Sequence, residues 1–443
     1  MMNTPICDFV SNYANDEQIR LHMPGHKGKS LLGFEKFDIT EFDGADCLYH
    51  ADGIIKESES NLTALYGTGA SFYSCEGSSL SIRAMLYLAK VYTNGSYIMA
   101  GRNAHSTLIS ASALIGFDIE WLYPADASSY LSCVITPSEL EKRLGSVDNL
   151  PFCVYITSPD YLGNISDIEG LSQVCEKFGV MLLVDNAHGA YLRFLENDIH
   201  PISLGATMCT DSAHKTLPAL TGGAYLHISK NAPEFFCENA KSALGLFGST
   251  SPSYLILSSL DRVNKYLYDG YKEKLSAFIK KVDSLKDILV KNGYTFSGNE
   301  PIKLTFESKK YGYRGVDFAK ILKSMGIVCE FCDDDFCVLM LTPEITDSEL
   351  DYIKNTLLAV EKKEKISTEV QKAVKPEKAM SIQDAIMSPR EKISIENAPG
   401  RILAGLSVSC PPAVSLIVAG EKFTNEEMRI CKSLDISSVY VVK

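Results

Sequence analysis

The chain lacks an excess of positive charge, any long apolar run and any low-complexity tract or internal repeat. Lysine and arginine number 43 against 55 aspartates and glutamates, a formal charge of −12 at pH 7. Nucleic-acid phosphates demand a basic surface, so this balance argues against a nucleic-acid binder and is compatible with a cationic small substrate. No stretch approaches the roughly 18 consecutive apolar residues of a membrane-crossing helix, so no membrane partner is expected. The opening MMNTPICDFVSNYAND has no basic segment followed by an apolar one. No secretory leader is expected from it, and the cytoplasm is the expected compartment.

Metal-binding spacings are also scarce. The 13 cysteines are mostly scattered singly. The exception is VCEFCDDDFC (328–337), in which Cys329 and Cys332 are two residues apart and Cys337 follows. A structural zinc site needs a second such pair or histidines, and no histidine is near. Asp333, Asp334 and Asp335 are expected to raise the thiol pKa values, which disfavours a reactive thiolate. These cysteines read as small apolar groups and loop thiols of a reduced protein, and no metal is expected.

What is present is the composition of a globular protein, 46% hydrophobic and 22% charged over 443 residues, enough for two or three domains. Short apolar runs at 96–100, 119–123, 152–157, 180–184, 207–209 and 224–228 are expected to be strands. They alternate with helical patterns at 78–92, 106–116 and 168–179. Strands without polar alternation in a βαβα rhythm imply an α/β fold with a mainly parallel sheet covered on both faces. The expected organisation is an N-terminal arm over 1–45, a large domain over 46–270 and a small α+β domain over 271–360. A charged linker over 361–379 and a compact C-terminal domain over 380–443 complete it.

Four features fall at strand ends or helix starts, where open parallel sheets place ligands. In CEGSSLSIRAMLYLA, Ser78 and Ser79 open a helix, as a phosphate cradle or simply as a cap. RNAHST puts His105 after a strand, in a ring-contacting or a structural role. In VMLLVDNAHGAY, Asp185 ends an apolar strand, a costly place for a carboxylate without a cationic partner, and His188 follows. In TDSAHKTLPALT, Lys215 stands among Ser212, His214 and Thr216; a partly desolvated lysine is a nucleophile towards aldehydes. A phosphate cradle, a ring-stacking histidine, a strand-end aspartate and a Schiff-base lysine are together the parts a pyridoxal phosphate site needs.

The segments LHMPGHKGKS (21–30), EFDGADCLYHADGIIKESE (41–59), RNAHST (102–107), TSPDYLG (157–163), DNAHGAY (185–191), SAHKTLPALTGGAYLH (212–227) and STSPSYLILSSLD (249–261) resemble the bacterial ornithine/lysine/arginine decarboxylase family. The resemblance continues to APGRILAG, PPAV and AGEKFT near the C-terminus. It implies a fold-type I large domain with smaller α+β C-terminal domains, and decarboxylation of a basic amino acid to an amine. It also implies pyridoxal 5'-phosphate as cofactor and a homodimer with its site at the subunit interface. Lys215 would carry the cofactor as a Schiff base, Asp185 would pair with the pyridinium nitrogen, and His105 would stack on the ring. Ser78, Ser79, Ser212 and His214 would serve the phosphate, with His214 also moving protons, and His188 would support the ring. Ser249 and Thr250 would reach the partner's phosphate, and His26 and Lys27 would lie near the site's mouth.

The chain departs from the family pattern in several places. Asn186 stands where a glutamate is usual, Ser106 where a lysine is, and Asp211 where a glutamine is, an extra negative charge beside the expected phosphate. PPA and AGE replace PPG and PGE. These departures leave open another fold-type I reaction, such as transamination or β-elimination, or cofactor binding without turnover.

Overall fold

The computed structural model describes residues 2–125, 129–368, 370–410 and 414–443. The PPA of residues 411–413 lies outside them. In chain order the first part runs α1 (Pro5–Ala14), α2 (Ile54–Tyr66), β1 (Ala70–Ser74), α3 (Gly77–Thr93), β2 (Tyr97–Gly101) and α4 (Ser106–Ile115). It continues with β3 (Asp118–Leu122), α5 (Pro137–Leu144), β4 (Cys153–Thr157), α6 (Ile168–Phe178), β5 (Met181–Asp185) and β6 (Met208–Asp211). Then come α7 (Ala213–Thr216), β7 (Ala224–Ile228), α8 (Glu234–Phe247), α9 (Tyr254–Tyr268) and α10 (Tyr271–Lys291). Every strand expected from the apolar runs is present within two residues, and β1 was not foreseen. Its sequence, ASFYS, is too short and polar to stand out. Helices α9 and α10 are separated at Gly270, whose φ of +94° favours glycine.

Two compact units emerge, residues 1–94 with 175–276, and residues 95–174 with 277–443. In the first, the strand order is β1-β7-β6-β5. β5 and β6 are parallel, whereas β7 runs antiparallel to both β6 and β1. The link between β6 and β7 holds the four-residue α7 as its one helix. In the second unit the order is β4-β2-β3, all parallel. Strands β4 and β5 are buried at four of five positions, which is why they show no polar alternation.

Helix α3 packs on β5, β6 and β7. Its buried residues include Ser81, Ala84, Met85 and Leu88, the three- and four-residue spacing of one helical face. Burying a residue such as Leu88 contributes about 1.5–3 kcal/mol. The turn into α3 requires glycine. Gly77 has φ +70°, its N–H donates to the Gly222 carbonyl at 2.8 Å, and Gly222 itself has φ +99°. A Cβ on Gly222 would lie 2.8 Å from the Cys75 carbonyl oxygen.

The second unit also holds a four-stranded antiparallel sheet that includes Lys303–Glu307 and Phe336–Met340. Its C-terminal part contributes Val414, Leu416 and Ile430 to an apolar cluster with Tyr130, Phe331 and Phe336. In the stretch 361–379 the described residues form one short strand, Glu377–Lys378. Among the described residues no helix is long and apolar enough to cross a membrane.

One buried network ties α1, α2 and α9 together. Asp261 Oδ1 accepts from Ser58 Oγ at 2.5 Å, and Oδ2 accepts from the Cys7 amide at 2.9 Å. Burial pushes the Asp261 carboxyl up to about 6, although these hydrogen bonds oppose the shift. The folded state therefore holds its proton more tightly than the unfolded chain does. That contribution is full below the ordinary aspartate pKa near 3.9 and is lost as pH rises through about 6. In urea unfolding, the stability of wild type relative to Asp261→Asn should fall by about 1–3 kcal/mol from pH 4 to pH 6 and stay level above pH 7. A difference that is flat from pH 4 to pH 8 would show that Asp261 folds with an ordinary pKa.

Candidate active site

The first unit collects most of the expected site residues around the ends of β5 and β6 and the start of α3. Asp185 is the last residue of β5, 2% exposed, and its Oδ1 accepts the Ala187 amide at 3.2 Å. In register beside it is Thr210, whose carbonyl accepts the Asn186 amide at 2.9 Å. His188 is buried, and its Nε2 accepts from Lys215 Nζ at 3.2 Å. Lys215 is half-buried on α7. This places a primary amine against a buried imidazole, partly shielded from water.

The serines at the start of α3 do not cap it. The N-cap position is Glu76, which makes no capping bond, and Ser78 and Ser79 lie inside the helix. Ser212 Oγ instead donates to Ser78 Oγ at 2.9 Å, bringing hydroxyls from two chain segments together at a helix N-terminus. A helix start carries unsatisfied N–H groups and partial positive charge, so this pair suits a phosphate. His214 Nδ1 donates to the Gly223 carbonyl at 2.9 Å. Burial lowers its pKa and the Lys215 charge adds to the effect, against the opposing hydrogen bond, so its imidazole is neutral at pH 7. Ser249 and Thr250 are exposed, and the Ser249 amide donates to Glu76 Oε1 at 2.6 Å.

His105 belongs to the second unit. It is the N-cap of α4, and its Nδ1 accepts the Thr107 amide at 3.1 Å. That bond leaves the ring proton on Nε2. Ser106 is the first residue of α4.

Asp211 corrects the expectation of an extra charge beside the phosphate. Its side chain is fully buried and belongs to a separate polar cluster. Oδ1 accepts from Asn186 Nδ2 at 2.7 Å, while Oδ2 accepts from His200 Nε2 at 3.1 Å and lies 3.4 Å from His227 Nε2. Burial alone would push this carboxyl up. The imidazoles of His200 and His227 outweigh it and hold the group well below the usual carboxylate range. Where the family pattern has glutamate and glutamine, this chain has Asn186 and Asp211, so carboxylate and amide have exchanged places across the β5–β6 pair. The two departures are in direct contact. Sequence reading missed His200, which stands in no motif, and His227, which ends the segment SAHKTLPALTGGAYLH and meets Asp211 only through pairing of β6 with β7. Among the described residues, His200, Cys209 and Asp211 also place donor atoms within 4.8 Å of one another. The imidazole and carboxylate bond each other directly, however, as an ordinary buried pair.

The thiols in the second unit depart from expectation at one position. Cys337 Sγ donates to Cys329 Sγ at 3.3 Å. This bond lowers the Cys329 pKa, opposite to the rise expected from the aspartates, and raises that of Cys337 together with burial. The aspartates are engaged elsewhere: Asp333 accepts the amides of Asp335 and Phe336, and Lys309 pairs with Asp334 and Asp335.

Parallel strands, a lysine on the turn after β6 and an aspartate closing β5 define a fold-type I pyridoxal phosphate enzyme. Residues 4–305 match the Orn/Lys/Arg decarboxylase major domain and residues 360–440 the Orn/Lys/Arg decarboxylase C-terminal domain. The chain belongs to the Orn/Lys/Arg decarboxylase family and is a pyridoxal phosphate-dependent decarboxylase, a lyase. It is 29% identical to the uncharacterized protein YaaO of Bacillus subtilis, over 97% of this chain and 93% of that protein. It is 27% identical to the arginine decarboxylase of Bacillus subtilis, over 98% of this chain and 94% of that one. The lysine decarboxylase LdcF of Francisella novicida superposes with a TM-score of 0.80 at 16% identity, covering 100% of this chain and 81% of that structure.

The Asn186–Asp211 contact can be measured by exchanging its partners. Asp211→Asn leaves two buried imidazoles without their carboxylate, and Asn186→Asp sets two buried carboxyls side by side. Each should cost about 3–5 kcal/mol in urea unfolding. The double exchange, N186D with D211N, should recover at least about 1 kcal/mol relative to the sum of the two. Strict additivity would mean that the contact contributes no coupling.

Proposed function

We propose that the protein converts a basic L-amino acid to the corresponding primary amine and CO2, with arginine the first substrate to test. The observation that carries this is the grouping of Lys215, His188 and Asp185, with Ser78 and Ser212 paired at the start of α3. Arginine is favoured over lysine because relatives matched over nearly their whole length are named arginine decarboxylase. The constitutive lysine decarboxylase of Escherichia coli matches over 64% of this chain and 44% of its own length.

The residues present fit pyridoxal phosphate: a helix start without a capping side chain, two hydroxyls, a buried carboxylate and an amine. When bound, the cofactor supplies an electron sink for the pair left at Cα as CO2 departs. Ser78, Ser79 and Ser212 would hold the phosphate. Asp185, buried at the end of β5, would pair with the ring nitrogen. Lys215 Nζ would anchor the cofactor carbon and return a proton to Cα, with His188 orienting the amine. His214, whose Nδ1–H donates to the Gly223 carbonyl, presents Nε2 as an acceptor and would take up and pass on a proton there. His105 would lie against the ring face.

A homodimer is the working unit in this reading. The exposed apolar side chains Ile19, Leu21, Leu31 and Leu32 in the N-terminal arm support it, since each is more than three-quarters solvent-exposed in the single chain; Ser249 and Thr250 are exposed as well. His26 and Lys27 lie in the same arm.

Arginine, lysine and ornithine supplied separately to the holoenzyme should reveal one preferred substrate, with CO2 and its amine in equal amounts by mass spectrometry. Keto acid or pyruvate instead would move the reaction to another class. Lys215→Ala should abolish the cofactor's visible lysine-linked absorbance and slow turnover by a factor on the order of 10³. Retention of both would remove Lys215 from its role.

A further inference from the structure

We propose that Glu421 is a positioning residue for His105, and that the C-terminal part of the chain thereby sets the cofactor-facing loop between β2 and α4. The proposal rests on the reading that His105 lies against the cofactor ring. His105 sits four residues beyond the end of β2, on a loop that starts with Arg102. Arg102 is 3% exposed and 319 residues away from Glu421 in sequence. Its Nη1 donates to Glu421 Oε1 at 3.0 Å and its Nη2 to Oε2 at 2.9 Å, a two-pronged pair. Nη2 also donates to the Leu416 carbonyl at 2.9 Å, and the guanidinium lies 4.8 Å from the centre of the Trp121 ring.

Glu421 is equally fixed on its own side. Its Oε2 accepts the Val418 amide at 2.8 Å, and its carbonyl accepts the Leu403 amide at 2.9 Å. The far end of the loop is held by the same part of the chain, since His105 forms an antiparallel bridge with Val414. The imidazole is tied to α4 through Thr107, so its place follows the loop backbone. Two attachments, one at each end of the loop, therefore come from residues 414–421.

A buried ion pair is a weak source of stability, because apolar groups of the same shape serve as well or better. Its distinctive property is geometric: a forked guanidinium–carboxylate pair fixes orientation as well as distance. Misplacing a group by about 1 Å can cost up to about 100-fold in rate. This makes the Arg102–Glu421 pair a setting device for the loop rather than a staple for the fold.

The test is a double-mutant cycle on full-length holoenzyme. Glu421→Gln and, in parallel, Arg102→Lys should each lower kcat about tenfold with KM little changed. Each should also shift the emission of Trp121, the chain's single tryptophan, which lies against the pair. His105→Ala should lower kcat further and alter the cofactor's absorbance. Adding Glu421→Gln or Arg102→Lys to His105→Ala should then have no additional effect on kcat, because the group they position is gone. Equal fold losses in both backgrounds would overturn the proposal and leave the pair with a merely structural role. So would wild-type kcat in a folded Glu421→Gln or Arg102→Lys protein. Should Glu421→Gln fail to fold, the Arg102→Lys arm decides. If His105→Ala leaves the cofactor spectrum and turnover unchanged, the placement of His105 against the ring fails instead, an outcome distinct from additivity.

Discussion

The buried carboxylate of Asp211 is the interaction on which the site in the first unit depends. It accepts from an amide on the turn after β5 and from the His200 imidazole on the chain leading into β6, and it ends β6 just before Ser212. The chain on one side of it carries Asp185, and the chain on the other carries Ser212, His214 and Lys215. An ionised carboxylate with no solvent contact is stable only while its donors stay in place. The spacing between the β5 and β6 turns is thereby set by hydrogen bonds that no substrate or cofactor touches. Both turns need this support, since each leaves a strand and carries polar side chains that repay nothing by packing.

The strands and most helices of the α/β part were legible because the physics that forms them is periodic and local. Parallel strands buried on both faces show as unbroken apolar runs, and α3 shows as a three-and-four spacing. The direction of β7 was not legible. Its apolar run, AYLHI, reads the same whether parallel or antiparallel, and the direction shows only in its pairing with β6 and β1. The site was legible wherever one residue announces a cost, as with Asp185 at the end of an apolar strand or Lys215 among hydroxyls. It was illegible where two residues share a cost. Asn186 and Asp211 each look like a loss when taken singly, yet the structure joins them at 2.7 Å as carboxylate and amide. His200 and His227 gave no signal, because His227 meets Asp211 through strand pairing and His200 meets it from the loop before β6.

The same distinction separates the two readings of Ser78 and Ser79. A serine before a helix caps it, whereas a serine inside the first turn cannot, and a shift of one or two residues decides which holds. Glu76 takes the cap position without capping, so the helix start remains available to an anion. The residues that would fill the reaction's remaining roles are contributed by more than one stretch of chain. None of these stretches carries the chemistry alone.

The long reach of the Arg102–Glu421 pair also bears on how the protein is made. Ribosomes add roughly 5–20 residues per second, so a chain that has already produced Arg102 waits on the order of 15–60 s for Glu421. During that interval the arginine must stay solvated or find a temporary partner, because an unpaired charge in that interior is costly. The loop bearing His105 can therefore settle only after the C-terminal part has been synthesised.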